Sequence, residues 1–270
     1  MHLVDEVQDD RDAFVVDAEI LAQVADQLRA GEVDVASRLK SAARISGSFL
    51  MIEARMSFPT RLLEGYRAFS AGRLQTEQDR FRKLAERGQS PEIMVIGCSD
   101  SRVSPEVIFD AHPGELFVVR NVANLVPPYT PDGATRAVSA ALEFAVVALR
   151  VKHIVVLGHG HCGGIRAYAE RMKPLSPGDF IGKWMELIAP AARALGGRER
   201  FGSDHEYHTA LEQQAMVTTL ENLMTFPCVS TLVERGKLQL HAAYFAIGTG
   251  LLSVRDSQTG VFETLVGARH

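Results

Sequence analysis

The sequence predicts an α/β fold in which helices flank a central, mostly parallel β-sheet. Three short apolar runs, at 92–97, 115–121 and 153–159, contain little polar alternation. Runs of this kind are typical of strands that are buried on both faces. Segments with helical spacing separate and follow them, so strands and helices alternate along the chain. This alternation favours parallel strands joined by right-handed crossovers.

The other predicted elements complete this arrangement. Segments with apolar residues at helical spacing predict helices over 60–74, 76–88, 134–150, 165–172, 180–196 and 206–225. The second of these ends at Gly88, and glycine commonly follows the last turn of a helix. A last apolar run at 238–247 predicts a fourth strand, and the residues after it predict a C-terminal hairpin or edge strand.

The chain divides into an extension and one domain. Residues 1–57 begin with an acidic stretch and are predicted to be an N-terminal extension. Three interpretations of this extension stay open: it is mobile, it binds a partner, or it reflects an early choice of start codon, since Met56 precedes a plausible restart. Residues 58–270 are predicted to form a single domain, for which their number is sufficient.

Composition and charge exclude several classes of function. The net charge of −4 is spread without a basic stripe, so nucleic acid is not expected as a partner. The longest apolar stretch, 138–151, is too short to span a membrane and contains Glu143 and Arg150. The N-terminus is acidic, unlike a signal peptide, and three cysteines make a poor disulfide framework. We therefore expect a cytoplasmic protein with reduced thiols and no membrane partner.

Two of the three cysteines lie where predicted strands end. Cys98 follows the first strand, His159 ends the third, and Cys162 comes three residues later. The carboxyl ends of parallel strands meet at one edge of a sheet, so these side chains are expected to converge if Gly160 allows a tight turn. Two thiolates and an imidazole are zinc ligands, and three protein ligands leave a fourth position open, which is the catalytic pattern.

Asp100 and Arg102 are candidate catalytic residues beside this site. In an extended loop, the side chains of Cys98, Asp100 and Arg102 lie on one side, so Arg102 can hold Asp100 ionised by a bidentate pair. Asp100 would then accept a hydrogen bond from a zinc-bound hydroxide and aim the lone pair of that hydroxide at an electrophile. Alternatively, Asp100 ligates the zinc directly and closes the site. Arg120, at the end of the second predicted strand, is expected to be buried and paired with a carboxylate.

Three other classes of protein compete for the same residues. Gly158, Gly160 and Gly163 match the spacing of a dinucleotide-binding fingerprint, but no acidic residue ends a strand about twenty residues later. A structural zinc site would need a fourth ligand such as Asp100 and has no use for Arg102. A thiol redox protein would place two cysteines close together, and here each motif contains one.

The motif CSDSR at 98–102, followed by H-x-x-C-G-G at 159–164, resembles the β-class carbonic anhydrases. The similarity covers 58–265 and is strongest over 88–129 and 153–164. The resemblance implies a β-carbonic anhydrase-like fold for residues 58–270. It also implies zinc-dependent, reversible hydration of CO₂ to bicarbonate and a proton by attack of zinc-bound hydroxide. The alternative is hydrolysis of carbon disulfide or carbonyl sulfide at the same site.

The resemblance also assigns roles to individual residues. It makes Zn²⁺ the cofactor, Asp100 and Arg102 the catalytic dyad, and a small apolar pocket the place where CO₂ binds. The implied zinc ligands are Cys98, His159 and Cys162, and the implied substrate-binding residues are Gln89, Phe117, Val122 and Gly163. Because the family builds this pocket across a dimer interface, a homodimer or a higher even homo-oligomer is implied.

The sequence departs from the family pattern in two places. Members regulated by a non-catalytic bicarbonate site carry Trp three residues before the first zinc-binding Cys, and this chain has Val95 there. It therefore resembles the plant-type subclass, in which water occupies the fourth zinc position. The pocket residue that the family has near Thr135 is absent, which affects the expected proton relay and turnover rate but not the reaction.

The implied ligand set predicts an alkaline activity profile. Zinc lowers the pKa of bound water from about 15.7 toward neutrality, and two thiolates should weaken this effect relative to three imidazoles. We expect the rate of CO₂ hydration to rise from about pH 6 to about pH 9. Stopped-flow assays across that range measure it, and a flat profile would contradict the expectation.

Overall fold

The computed structural model describes residues 58–173, 175 and 179–265. The predicted extension, 1–57, lies outside these residues. The described residues divide into two units between Thr76 and Glu77, and the sheet belongs to the second. The boundary that the sequence places after residue 57 remains a prediction.

A six-stranded sheet in the order β2-β1-β3-β4-β5-β6 forms the centre of the second unit. Its strands are β1 Ile93–Cys98, β2 Leu116–Asn121, β3 His153–His159, β4 Gln239–Ala246, β5 Leu251–Arg255 and β6 Phe262–Leu265. The first four strands are parallel, and β5 and β6 add an antiparallel hairpin. The predicted α/β fold with a mostly parallel sheet and a C-terminal hairpin is confirmed.

Helices precede, connect and cover the strands. They are α1 Thr60–Ala71, α2 Arg73–Arg87, α3 Pro105–Ile108, α4 Ala137–Glu143, α5 Gly163–Ala169, α6 Phe180–Met185, α7 Ala189–Leu195, α8 Asp204–Met224 and α9 Pro227–Glu234. Ser203 caps the long helix α8: its hydroxyl accepts the backbone N–H of Glu206 and so satisfies one of the free donors of the first turn.

Two predicted helices differ from those observed. The helix predicted over 134–150 begins at Ala137, and its second half, Phe144–Leu149, winds as a π-helix. The helix predicted over 180–196 is divided into α6, a 3₁₀ turn at Glu186–Ile188, and α7. Pro190 lies in the first turn of α7, where proline is tolerated because its missing N–H would be unpaired in any case.

One face of the sheet forms the main core. Met94 and Ile96 of β1, with Ile154 and Val156 of β3, point to this face and are fully buried. Side chains of α4, α8 and α9 cover them, namely Leu142, Met216, Leu223 and Val229. Burial on this scale is the main stabilising contribution to such a fold.

Gly158 allows α8 to approach the sheet closely. A Cβ atom at this position of β3 would overlap the thioether sulfur of Met216. Only a residue without a side chain permits this packing, which puts α8 directly against the end of β3. Residues one turn before Met216 on α8 therefore reach the carboxyl edge of the sheet.

The other face of the sheet is only partly covered. Val95, Leu157 and Ala243 are buried there. The apolar side chains around them are half-buried; they include Ile93, Leu116, Val118, Val155, Phe245, Leu252 and Val254. A patch of half-buried apolar side chains of this kind commonly marks an interaction surface.

Ile154 tests the packing of the main core. It is fully buried in the strand between β1 and β4. We expect Ile154→Ala to lower the free energy of unfolding by about 2–5 kcal/mol and Ile154→Val by about 1 kcal/mol, because the first leaves a larger cavity. Urea denaturation at one protein concentration measures both. Equal, small effects would contradict this packing.

Candidate metal centre

Three candidate ligands converge at the carboxyl edge of the sheet. The side-chain donor atoms of Cys98, His159 and Cys162 all lie within 4.8 Å of one another, and all three residues are buried. Cys98 ends β1, His159 ends the neighbouring strand β3, and Cys162 immediately precedes α5. Among the described residues, this is the one group of three or more such side chains close enough to hold a metal ion.

The imidazole of His159 is oriented for a metal. Its Nδ1 lies 3.0 Å from the carbonyl oxygen of Gly160, and that oxygen can only accept a hydrogen bond. Nδ1 therefore carries the proton, and Nε2 is left with a lone pair. Nε2 is buried and has no hydrogen-bond partner. A buried nitrogen without a partner is costly unless a metal satisfies it, so the residues fit a metal ion of the zinc type.

The two thiols lie close enough to share one proton. The thiol of Cys162 holds the pKa of Cys98 well below its usual range, and the backbone N–H of Ala123 donates to its sulfur at 3.3 Å. The hydrogen bond with Cys98, together with burial, raises the pKa of Cys162. The N–H groups of Gly164 and Ile165 act in the opposite direction on Cys162. Thiolate is the form that binds metal, and a divalent cation would neutralise both sulfurs.

The ligand turn, which joins His159 to Cys162, differs from the prediction. Its residue with a left-handed backbone is His161, with φ of 56°, rather than Gly160. Histidine is among the residues that adopt this conformation more often than most. Gly160 has another reason to be glycine: a Cβ there would lie 3.1 Å from the hydroxyl of Tyr244.

Two of the three glycines that resemble a dinucleotide fingerprint thus serve packing. Gly158 makes room for Met216, and Gly160 makes room for Tyr244. Gly163 has open space where its Cβ would be. Neither Gly158 nor Gly160 has a positive φ. The spacing therefore reflects close approach of α8 and β4 to the ligand turn rather than a phosphate-binding loop.

Asp100 and Arg102 form the bidentate pair that the sequence predicts. Nε of Arg102 donates to Oδ1 of Asp100 at 2.9 Å, and Nη2 donates to Oδ2 at 2.7 Å. The backbone N–H of Arg102 adds a third bond at 3.0 Å. These bonds hold the pKa of Asp100 well below its usual range and raise the pKa of Arg102. Arg102 is itself fixed by the carbonyl of His161, which ties the pair to the ligand turn.

Arg120 does not behave as expected from the sequence. It is exposed rather than buried, and it donates to two backbone carbonyls rather than to a carboxylate. Its Nε reaches the carbonyl of Cys98 at 2.8 Å, and its Nη2 reaches that of Asp100 at 2.6 Å. The carbonyls after a strand end have no partner in the sheet, and a guanidinium can satisfy two of them at once. Arg120 therefore stabilises the loop that carries Cys98 and Asp100.

Val122 and Gly163 lie next to the candidate ligands. The side chain of Asn121 closes the turn around Val122. Its Oδ1 accepts the backbone N–H of Leu125, and its Nδ2 donates to the carbonyl of Leu125. Trp184 donates its indole N–H to the carbonyl of Val122 at 2.8 Å. A Cβ at Gly164 would lie 2.8 Å from Val122, so the two segments are in contact.

Two predicted substrate residues lie away from the centre within one chain. Gln89 precedes β1, at the opposite end of that strand from Cys98. Phe117 pairs in register with Met94, four residues before Cys98, or about 13 Å along the strand. Thr135 is exposed in the loop before α4. The substrate roles of Gln89 and Phe117 stay predictions.

Two residues that the sequence analysis missed also contact the ligand turn. Glu212 of α8 and Tyr244 of β4 are buried and bonded to each other, and Glu212 accepts the backbone N–H of Cys162. The available signal was an acid within an otherwise apolar helical stripe, between Leu211 and Ala215. The sequence does not indicate what such an acid meets, because its partners come from distant parts of the chain.

The fold and the site together define an α/β protein with a candidate Cys-His-Cys metal centre at the carboxyl edge of its sheet. A family model described as carbonic anhydrase matches residues 93–252. A carbonic anhydrase from Pseudomonas aeruginosa is 36% identical over 204 residues, covering 76% of this chain and 90% of that protein. The chain belongs to the β-class carbonic anhydrase family.

Solved structures of this class share the fold. The structure of the β-carbonic anhydrase CcaA is 31% identical with a TM-score of 0.71, covering 77% of this chain and 92% of that one. One of two tetrameric β-carbonic anhydrases from Sordaria macrospora is 29% identical with a TM-score of 0.63, covering 75% of this chain and 97% of that one.

Within the described ranges, no helix has the length and apolar character needed to cross a membrane.

The two glycines that open α5 provide a matched pair of substitutions. Alanine is about 0.5–1 kcal/mol more favourable than glycine within a helix, and a Cβ at Gly163 meets no atom within 4 Å. We expect Gly163→Ala to fold with at least wild-type stability and to keep its metal. Gly164→Ala should lose about 1–3 kcal/mol, since its Cβ would press on Val122. Urea unfolding and metal analysis measure both, and equal stabilities would contradict the contact.

Proposed function

We propose that the chain catalyses the reversible hydration of CO₂ to bicarbonate and a proton, with zinc held by Cys98, His159 and Cys162. The observation that carries the proposal is the bidentate Asp100–Arg102 pair directly beside the three converging ligands. A purely structural metal site would have no use for this pair. Membership of the carbonic anhydrase family supports the same reaction.

The two thiolates and one imidazole of the site fit zinc better than they fit magnesium or calcium. Two thiolates and one neutral imidazole balance a divalent charge, and thiolate ligands favour zinc over magnesium or calcium. A zinc ion bound there supplies Lewis acidity that activates water as a nucleophile at mild pH. The buried, partnerless Nε2 of His159 supports this ligand set.

Asp100 orients the attacking water. Its two oxygens are held by Arg102, so the carboxylate stays ionised and does not rotate. In this position Asp100 accepts a hydrogen bond from the attacking water and directs the free lone pair of that water toward the carbon of CO₂. The oxygens of Asp100 are not among the donor atoms that lie within 4.8 Å of one another in the described residues, and they are held by Arg102 instead. The geometry therefore favours the open site over the closed one.

Substrate binding is proposed to involve two copies of the chain. Val122 and Gly163 lie beside the ligands of the same chain, whereas Gln89 and Phe117 do not reach them. A second copy can supply an apolar ring and an amide to each site, which makes a homodimer or a higher even oligomer the working assembly. The partly covered face of the sheet supports self-association, and a relative from Sordaria macrospora is tetrameric.

The cellular setting is proposed from the cysteines. All three are free thiols, and two of them serve as proposed ligands, so a reducing compartment such as the cytoplasm suits the protein. Neither a nucleic acid nor a membrane is proposed as a partner.

Replacing Asp100 separates catalysis from metal binding. We expect Asp100→Ala to keep about one zinc per chain while kcat/KM for CO₂ hydration falls roughly 10²–10⁴-fold, as is typical when a group that orients the nucleophile by a hydrogen bond is removed. Stopped-flow assays and zinc analysis on the same sample measure both quantities. Carbon disulfide and carbonyl sulfide are assayed in parallel.

Asp79→Ala is the matched control, because it removes an exposed carboxylate that also pairs with an arginine, Arg82, at 2.8 Å. Its turnover and zinc content should equal those of the wild type. Full CO₂ turnover in Asp100→Ala would refute the role of Asp100. Zinc-loaded wild type that turns over only carbon disulfide or carbonyl sulfide would refute the proposed substrate.

A further inference from the structure

Glu212 is a buried carboxylate beside the metal centre that the proposed reaction does not use. Only 5% of the residue is exposed, and it projects from α8 toward the carboxyl edge of the sheet. Burying a carboxylate is costly unless its oxygens are well bonded. A carboxylate retained in such a place therefore needs a reason, and its contacts supply one.

Both oxygens of Glu212 accept hydrogen bonds from the segment around the ligands. Oε1 accepts the backbone N–H of Cys162 at 2.8 Å, and Oε2 accepts the hydroxyl of Tyr244 at 2.7 Å. Hydrogen bonds to an ionised acceptor are about twice as strong as neutral ones. The carboxylate thus joins the residue that carries the second thiol to the neighbouring strand β4.

Tyr244 supports the other end of the ligand turn. Its hydroxyl lies under Gly160, where a Cβ would come within 3.1 Å of it, and the N–H of Gly160 donates to the carbonyl of Phe245 at 2.9 Å. The turn from Gly160 to Cys162 therefore rests on β4 at one end and on Glu212 at the other. This turn sets the distance between the imidazole of His159 and the sulfur of Cys162.

We propose that Glu212 and Tyr244 are positioning residues that hold Cys162 in place as a metal ligand. They act through hydrogen-bond geometry and contact no reacting atom. Without them, the Gly160–Cys162 turn loosens, the sulfur of Cys162 leaves the metal more often, and zinc dissociates faster. The inference rests on the proposed zinc site.

Glutamine is the substitution that keeps the geometry. Its carbonyl can accept the N–H of Cys162, and its NH₂ can donate to the oxygen of Tyr244. Alanine removes both bonds. Glu212→Gln and Glu212→Ala therefore separate positioning from the loss of a buried charge.

The experiment measures zinc release. Each zinc-loaded, full-length protein is mixed with an excess of a chromogenic zinc chelator, and the first-order rate of zinc release is recorded at one pH. The proteins compared are the wild type, Glu212→Ala, Glu212→Gln and Tyr244→Phe. Thr218→Val is the matched control, because Thr218 is equally buried and lies six residues further along the same helix. The thiolate-to-metal charge-transfer absorption of the cobalt-substituted proteins is recorded as well.

We expect Glu212→Ala to release zinc about 10–100-fold faster than the wild type and to lose cobalt–thiolate absorption, as is typical when a group that orients a ligand is removed. Glu212→Gln should release zinc within about 3-fold of the wild-type rate, and Thr218→Val should match the wild type. Tyr244→Phe removes one hydroxyl and should release zinc several-fold faster than the wild type. If Glu212→Ala does not fold, Tyr244→Phe provides the test of the positioning role.

The inference is overturned if Glu212→Ala, or Tyr244→Phe in its place, releases zinc at the wild-type rate. It is also overturned if Glu212→Gln releases zinc as fast as Glu212→Ala, because charge rather than position would then hold the metal. Wild type that contains no zinc would refute the proposed function itself. Zinc-loaded wild type with unaffected variants refutes only the positioning role.

Discussion

The site depends on one constraint: β1 and β3 are parallel neighbours, so their carboxyl ends meet at one edge of the sheet. This arrangement brings Cys98 and His159 together across 61 residues of chain. Parallel pairing requires a long crossover between the strands, and here that crossover runs through β2 and α4. The crossover also carries Ala123 past the sulfur of Cys98, so the connection between the strands forms part of the site.

The ligands are held by backbone groups as much as by side chains. Ala123 donates to Cys98, the carbonyl of Gly160 orients His159, and Glu212 accepts the N–H of Cys162. Arg120 holds the carbonyls of the loop that bears Cys98. Burying two thiols and a carboxylate together is unfavourable without such bonds and a cation, so the chain arranges a full set of partners around a position suited to a metal.

Much of this was predictable from local patterns. The four parallel strands and the hairpin follow from short apolar runs, and the dyad of Asp100 and Arg102 follows from a five-residue motif whose side chains alternate. Other features depend on partners that are remote in sequence. Glu212 and Tyr244 are 32 residues apart and were missed, and Arg120 bonds to carbonyls that have no sequence signal. Gly160 is glycine because the hydroxyl of Tyr244 lies beneath it, a contact between residues that are far apart in sequence.

The sequence by itself determined the α/β class, the strand ends and the identity of the three candidate ligands, because these depend on periodicity and on short-range spacing. The tertiary structure decided which residues surround the ligands, that His161 rather than Gly160 takes the left-handed turn, and that Gln89 and Phe117 lie away from the ligands of their own chain. Those outcomes depend on how α8 and β4 pack against the end of β3, and close packing of this kind arises from side-chain shapes across the fold, which no local pattern encodes.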